Sequence, residues 1–473
     1  MSISFRDPSG HLYATKDRIV RVVRPDGQPD LLAFLNSDVA RLLTKSGLVV
    51  ETKPLDGIEA SQALQSSSLL QLAGAVQGNA FFEHERVPFT SYPFEWPPQM
   101  LHAAGMLTLE IAERCLQGGI GLKDATPYNI LFRGPKPVFV DLLSFEKRDP
   151  ADSIWLAYSQ FTRNFTLPLL MNRHLGVPLT QLFRVRRDGL EPHEAYEMLG
   201  PLRRLLPPFL SSVTIPTWLN RVESKKLYEP RKGDDPERAK FILASLLGRL
   251  RRTMQRLSPP LGESHWSRYM ETHCSYTQQQ LAVRASFVES SLEMCAPGTV
   301  LDVGCNTGFY STMAAKHGAR VVAIDSDPVV VGHVWQEAGR EGLDVLPLVA
   351  DISRPSPGLG WRNQECRPLL ERLSGSFDTV LMLAVIHHLL VTERIPLPEI
   401  VDLAADICTR HALIEYIGPD DPMFQKLVRG RGALHQSLNR AVFETAWQSR
   451  FQIERTQDLT GSARVVYLLS KKS

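Results

Sequence analysis

Residues 300–308 read Val-Leu-Asp-Val-Gly-Cys-Asn-Thr-Gly. A short apolar run carries Asp302 into a turn bounded by Gly304 and Gly308, and residues 309–316 continue with helical spacing. A strand, a glycine turn and a helix open a parallel α/β sheet, and the turn at the carboxyl end of such a strand is the usual ligand crevice. Glycine suits it because a Cβ would stand between the backbone and a ligand lying on it. The spacing rejects two other nucleotide-binding turns. A dinucleotide fingerprint needs G-x-G-x-x-G, and no glycine stands between Gly304 and Gly308. A phosphate loop needs Lys-Ser or Lys-Thr after its last glycine, and neither follows Gly308.

Outward from this turn, apolar runs recur at 320–324, 345–349, 379–384 and 412–417, with helical segments between them. Such alternation predicts parallel strands joined by crossover helices. Runs at 451–455 and 465–470 flank a turn at Thr460-Gly461, which predicts an antiparallel pair closing the sheet. The pattern Asp302-x-Gly304-x-x-x-Gly308 resembles motif I of class I S-adenosylmethionine methyltransferases. The similarity extends to Ile324-Asp325, to Val349-Ala350-Asp351-Ile352 and to Phe377-Asp378-Thr379-Val380. It implies a Rossmann-like seven-stranded sheet within a domain at 259–473 and S-adenosylmethionine as cofactor. Asp302, Gly304, Cys305, Asn306 and Gly308 then form the cofactor turn. Asp325 meets the ribose hydroxyls, Asp351 the adenine amino group, and Ile352 packs on the ring. Asn306 departs from the Gly or Ala of many members.

The fourth run ends Ala384-Val385-Ile386-His387-His388-Leu389. This resembles the V-L-H-H-L ending of many O- and C-methyltransferases and lacks the N/D-P-P-Y/F pattern of amino-directed enzymes acting on nucleic acids. A hydroxyl or enolisable carbon must lose a proton as it accepts a methyl group, and histidine is the usual base near neutral pH. His387 and His388 are therefore candidate catalytic residues, with structural packing as the competing account. Glu415, at the end of the fifth run, is the alternative base. Adjacent histidines rarely face one ion, so no metal is expected. Trp266, Tyr269, Tyr276 and Thr277 form a polar-aromatic stretch that caps the cofactor or packs the core. The 419–424 loop and the basic Arg429 and Arg431 border substrate or solvent.

A second constellation lies in the first half. Asp124 precedes Asn129 by five residues, a turn at 133–137 follows, and 138–140 leads into Asp141. The order D-x-x-x-x-N, hairpin, Asp resembles small-molecule kinases of the aminoglycoside-phosphotransferase type, in which Mg-ATP is the cofactor. The helical pattern at 100–116 agrees. Leu122 replaces the usual His, Leu-Leu follows Asp141, and no glycine-rich phosphate loop is visible. Lys16, Lys45 and Lys53 are the strand-lysine candidates, none with supporting context. Asp124, Asn129 and Asp141 are thus expected to cluster, with ATP binding weak or absent. A chance match and a domain kept for binding or scaffolding remain open.

The texture divides the chain into an α+β kinase-like region at 1–150, a mainly helical region at 151–258 with breaks at Pro207, Pro208 and Pro216, and the methyltransferase domain. The first region carries β-rich runs at 18–23 and 48–51 and an amphipathic stretch at 31–43. The charged segment 229–238 is the best internal boundary, and a helix is expected at 236–257. Across nearly its full length the chain resembles bacterial methyltransferases related to nodulation protein NoeA, a resemblance that says little about substrate; the favoured reading is methylation of an oxygen or carbon on a small-molecule or glycan-like acceptor. A bifunctional kinase–methyltransferase, a non-catalytic SAM-binding assembly protein and a tRNA or protein methyltransferase are the alternatives. Lys+Arg is 53 against Asp+Glu 51, a net charge of +2, which offers no field for capturing DNA. No basic, aromatic-interleaved stretch supports RNA, and Arg249–Arg252 reads as the solvated face of a helix. The six cysteines show no zinc spacing, the N-terminus has no apolar signal and no run approaches membrane length. A cytoplasmic location is expected, and the oligomeric state is open.

Overall fold

The computed structural model describes residues 2–4, 6–15, 18–63, 78–220, 235–264, 276–428, 432–435 and 437–472. Lys16, Trp266, Tyr269, Arg429, Arg431 and most of the 229–238 segment lie outside the described residues. The chain divides into two compact units. One comprises Met1–Arg133, Pro137–Pro259 and Gly360–Glu365; the other comprises Gly134–Lys136, Pro260–Leu359 and Cys366–Ser473.

The first unit opens with a five-stranded antiparallel sheet ordered β1-β2-β3-β5-β4. Its strands are β1 Ser2–Ser4, β2 Gly10–Ala14, β3 Ile19–Val23, β4 Thr52–Leu55 and β5 Ala80–His84. The amphipathic stretch at 31–43 is two helices, Gln28–Leu35 and Asp38–Lys45. Ser37 divides them, its hydroxyl accepting from the Ala40 amide as an N-cap. The run at 48–51 is not a strand: Val49 makes only an isolated parallel bridge to Phe139. Its apolar character reflects burial, since Val49 and Val50 are each 1% exposed. Helix Pro98–Gln117 follows, then β6 Ile120–Leu122, a hairpin of β7 Ile130–Arg133 and β8 Lys136–Phe139, and β9 Phe145–Lys147 paired back to β6.

Helix Pro236–Arg256 buries Leu243, Leu247, Leu250 and Met254 and packs on Pro98–Gln117. Arg249 and Arg252 are exposed, as expected of its solvated face, while the half-buried Arg251 pairs with Glu113 at 2.6 Å. Pro216 does not break the chain either. The π-helical turn Leu210–Thr214 runs directly into helix Ile215–Asn220, and Pro216 follows that widened turn.

The second unit holds a seven-stranded sheet ordered β12-β11-β10-β13-β14-β16-β15. Its strands are β10 Thr299–Val303, β11 Arg320–Asp325, β12 Val345–Val349, β13 Phe377–Met382, β14 Cys408–Tyr416, β15 Phe451–Asp458 and β16 Val465–Lys471. The first five pair in parallel, while β16 runs antiparallel to both β14 and β15, as the closing pair of apolar runs predicts. Val300, Val321, Leu381, Leu413 and Leu468 join Phe287, Val288 and Leu292 of helix Gln278–Cys295 in one core. Strands covered on both faces read as continuous apolar runs rather than alternating ones. One boundary differs from expectation. β13 stops at Met382, Ala384 bends the chain at φ +55°, and His387 and His388 lie on helix Ile386–Val391 rather than at a strand end.

The expected 419–424 loop is shorter, since helix Pro422–Val428 begins within it, and Asp421 anchors the turn before that helix. It accepts two bonds from Arg464, at 2.7 and 3.0 Å, with both side chains 2% exposed. Arg464 also lies over the Tyr276 ring at 4.0 Å. Removing one partner leaves a buried charge uncompensated, so Arg464→Met is expected to cost about 3–5 kcal/mol in denaturant unfolding. A loss under about 1 kcal/mol would put the pair among weak surface contacts.

Candidate active site

A cavity of about 460 Å³ opens at the carboxyl ends of β10, β11, β12 and β13. Its wall includes 302–307 after β10, 324–326 at β11, 350–353 after β12 and 383–385 after β13. The first strand, β10, lies between β11 and β13, so the strand order reverses here, where open α/β sheets bind ligands.

Gly304 sits at φ +71°, and a Cβ there would come 3.2 Å from Val385. Asn306 follows at φ +47°, a conformation Asn tolerates. Its amide donates to Asp325 Oδ2 at 3.0 Å, while Asp325 Oδ1 accepts from the Asp327 amide at 3.0 Å. The carboxylate at the end of β11 thus fixes the glycine turn after β10. Gly308 has a different reason. It caps helix Phe309–Lys316 at φ +80°, and a Cβ would stand 2.8 Å from Val334. It is required for close packing on helix Pro328–Glu341 and does not line the cavity.

Asp302 is buried and accepts from the Ser311 hydroxyl at 2.6 Å. Burial pushes its carboxyl up to about 6. Burial also raises Asp325 and holds the Cys305 thiol far above its ordinary value, so Cys305 is an apolar lining group rather than a nucleophile. Asp351 accepts from the Ser353 amide and hydroxyl at 2.9 and 2.6 Å, with Ile352 beside it on the wall.

Arg284 supplies the wall's single Lys or Arg among the described residues, and sequence reasoning missed it. It stands over the rings of Tyr276 and Tyr310, 5.0 Å from each, and its Nη2 is 2.8 Å from Glu415 Oε2. The Tyr276 hydroxyl donates to Glu415 Oε1 at 2.7 Å. A signal was present: Leu281, Arg284, Val288, Leu292 and Cys295 share one helical stripe, and an Arg on an inward stripe needs a buried partner. Glu415 is 1% exposed and lies off the cavity wall, spent on Arg284 and Tyr276.

The two histidines separate. Consecutive residues on a helix do not share a face. His388 lines the cavity, whereas His387 is 3% exposed and does not, although the rings are 4.2 Å apart. Burial lowers the His388 pKa below 6.5. Burial, with the charges of His388, Arg464 and Arg284, lowers His387 further. Thr392 and Glu393 complete this side of the wall, and neither was marked from sequence.

The Asp302 carboxyl has a consequence for pH. Raised above the unfolded value, it holds its proton in the folded protein between about 4 and 6, so folded stability falls as pH rises through that window. A cationic ligand group beside it favours the ionised form, so binding is linked to proton loss. Affinity for S-adenosylhomocysteine is expected to rise with pH through about 6, with proton release seen by calorimetry in buffers of different ionisation heat. Asp302→Asn should flatten that rise, and an unchanged rise would clear Asp302 of the linkage.

In the first unit, the Val140 amide donates to the Asn129 carbonyl at 2.8 Å, closing the β7–β8 hairpin. Asn129 Nδ2 donates to Ser144 Oγ at 2.9 Å, and Ser144 donates to Asp141 Oδ2 at 2.6 Å. Burial, and then the nearby Asp141 charge, raises the Asp124 carboxyl. Asn129 and Asp141 are therefore joined through Ser144, and the amide of Lys123, next to Asp124 in the chain, donates to the Ser144 carbonyl at 2.8 Å. Of the lysine candidates, Lys53 pairs with Glu83 at 3.0 Å and Lys45 ends helix Asp38–Lys45. The cation beside Asp141 is Arg21 of β3.

Residues 301–401 match a family model described as a methyltransferase domain. The second unit is a class I S-adenosylmethionine-dependent methyltransferase domain, and the protein is an enzyme of that class. Over 99% of its length the chain is 26% identical to nodulation protein NoeA of Rhizobium meliloti strain 1021, covering 95% of that protein. Over 106 residues it is 33% identical to the ubiquinone biosynthesis O-methyltransferase of Xanthomonas euvesicatoria, 22% of this chain and 38% of that one. Solved structures similar to it include N-methyltransferase NodS from Bradyrhizobium japonicum WM9 with S-adenosyl-l-homocysteine, at 15% identity and TM-score 0.33, covering 44% of this chain and 97% of that one. WbdD is another, at 19% identity and TM-score 0.31, covering 44% and 43%. No helix among the described residues is long and apolar enough to cross a membrane.

Proposed function

We propose that the enzyme methylates an oxygen or carbon of a small-molecule or glycan-like acceptor, with His388 as the base. The second unit, within 259–473, does the chemistry. The first, a kinase-like fold at 1–150 continued by helices at 151–258, recruits the acceptor. The observation that carries this is the place of His388: a neutral imidazole on the wall of the cavity that the glycine turn also lines. S-adenosylmethionine, when bound, supplies a methyl group on a sulfonium and leaves as a neutral thioether. In this proposal Gly304 gives the cofactor close approach to the backbone, Asp325 accepts from ribose hydroxyls, Asp351 meets the adenine amino group, and Ile352 packs on the ring. Arg284 holds the cofactor carboxylate, and its Glu415 and Tyr276 partners keep the guanidinium in place. Glu415 is thereby a positioning residue, and His387 supports the His388 ring from beneath.

The wall carries Asp302, Asp325, Asp351 and Glu393 against one Arg. That balance suits a cationic cofactor and a neutral, hydroxyl-bearing acceptor, and disfavours a phosphorylated one. The matched relatives include O-methyltransferases, which supports oxygen as the accepting atom. Incubation with methyl-labelled S-adenosylmethionine and fractionated extracts tests it. Label is expected in a neutral, hydroxyl-rich fraction; label confined to protein or RNA would overturn the acceptor class.

A further inference from the structure

The Asp141 cluster contains a cation that no motif announces. Arg21 is 3% exposed, and its Nη2 lies 2.8 Å from Asp141 Oδ1. Its Nε donates to His84 Nε2 at 3.0 Å. Because His84 Nε2 accepts, its Nδ1 carries the proton and donates to Thr52 Oγ1 at 2.7 Å. Burial, and then the Arg21 charge, holds His84 far below its ordinary pKa, which keeps it neutral and able to accept. On the other side, Ser144 donates to Asp141 Oδ2 and accepts from Asn129 Nδ2. The direction of that chain fixes the Asn129 amide with its NH₂ toward Ser144. One continuous set of polar contacts thus runs from β4 and β5 through Arg21 to the β7–β8 hairpin.

Both Asp141 oxygens are engaged, one by the guanidinium and one by the Ser144 hydroxyl. A divalent cation needs carboxylate oxygens at about 2.0–2.6 Å and would stand against a buried positive charge. Arg21 cannot turn away to make room, because its Nε is committed to a buried histidine and its side chain is only 4% exposed. Among the described residues no group of three or more His, Cys, Asp and Glu stands ready to hold a metal ion.

We propose that Arg21 is the resident cation of this site. Its guanidinium neutralises Asp141 in place of a divalent metal, so the N-terminal unit holds neither magnesium nor magnesium-ATP. The proposal depends on the contacts within this unit and not on the methyl-transfer chemistry of the other.

The test is chemical rescue in the full chain, followed by thermal unfolding. Wild-type melting is expected to be indifferent to millimolar magnesium or manganese, with or without ATP, once ionic strength is matched. Arg21→Gln strands the Asp141 carboxylate and should lower the transition of the N-terminal unit by about 10 °C. Manganese or magnesium should recover most of that loss, because the carboxylate and its neighbours then lack a cation. The double variant Arg21→Gln/Asp141→Asn removes both charges. It should melt near wild type and ignore metal, and it keeps the question open to measurement even if Arg21→Gln alone fails to fold. A magnesium- or magnesium-ATP-dependent rise in wild-type melting overturns the proposal. So does an Arg21→Gln protein that folds but gains nothing from metal, or a double variant as unstable as the single one.

Discussion

His388→Ala is expected to lower methyl-transfer turnover by about 10²–10⁴-fold, the usual worth of a positioned general base, with affinity for S-adenosylhomocysteine nearly unchanged. The separation follows from position. His388 reaches the cavity from helix Ile386–Val391, whereas the turn at 302–307, Asp325 and Asp351 meet it from the other strand ends. Removing the imidazole takes away a proton acceptor and leaves the 302–307 turn, Asp325 and Asp351 in place. Burial lowers the His388 pKa from its ordinary value, so the ring is neutral and competent at neutral pH, and wild-type turnover should fall only on acidification below the ordinary histidine range. His388→Gln keeps a polar side chain but no base, so it should resemble the alanine variant. His387→Ala should act differently: its ring is buried, so the loss appears as a less stable domain, with a smaller effect on turnover. Full turnover in His388→Ala, together with loss in Glu393→Gln, would move the base to the carboxylate on the same wall.

What could be read without coordinates follows the range of the interactions involved. The strands β10 to β14 announce themselves because burial on both faces leaves continuous apolar runs, and the closing pair of β15 and β16 because a Gly turn separates two of them. The glycine turn is local chemistry, legible from Asp302, Gly304 and Gly308 in nine residues. Even there the reason for Gly308 was not legible, since Val334 on another helix supplies it. Arg284, Glu415 and Tyr276 form one group only because β14 and helix Gln278–Cys295 meet in the fold. Arg21 and Asp141 meet in the same way, with an arginine rather than a strand lysine beside the carboxylate. Where β13 ends was equally hidden: the run 379–384 is apolar throughout, and only the positive φ at Ala384 shows that the strand has already turned. That bend puts the two histidines on a helix, where one faces the cavity and the other does not.

Gly304→Val is expected to weaken S-adenosylhomocysteine binding by at least about 100-fold, which is about 2.7 kcal/mol. Two costs add. A Cβ at φ +71° costs about 1–2 kcal/mol, more when branched. A Cβ would also come 3.2 Å from Val385 Cγ2, and two further methyl groups must find space in the wall, an overpacking worth about 1–3 kcal/mol. Because Val385 lines the cavity, the strain is relieved by displacing the wall itself. Gly304→Ala carries the backbone cost with less crowding and should lose about tenfold. Gly318→Ala separates the causes: its φ is +88° with nothing within 4 Å of the added Cβ, and it is not on the wall. That variant should melt lower yet bind the cofactor product as wild type does. The unfolding transition of the N-terminal unit should be untouched in all three. Calorimetry decides: equal affinity in wild type and Gly304→Val would mean that the cofactor does not lie against this turn, whereas loss in Gly304→Val alongside intact binding in Gly318→Ala ties the effect to the glycine turn on the cavity wall and not to a general loss of stability.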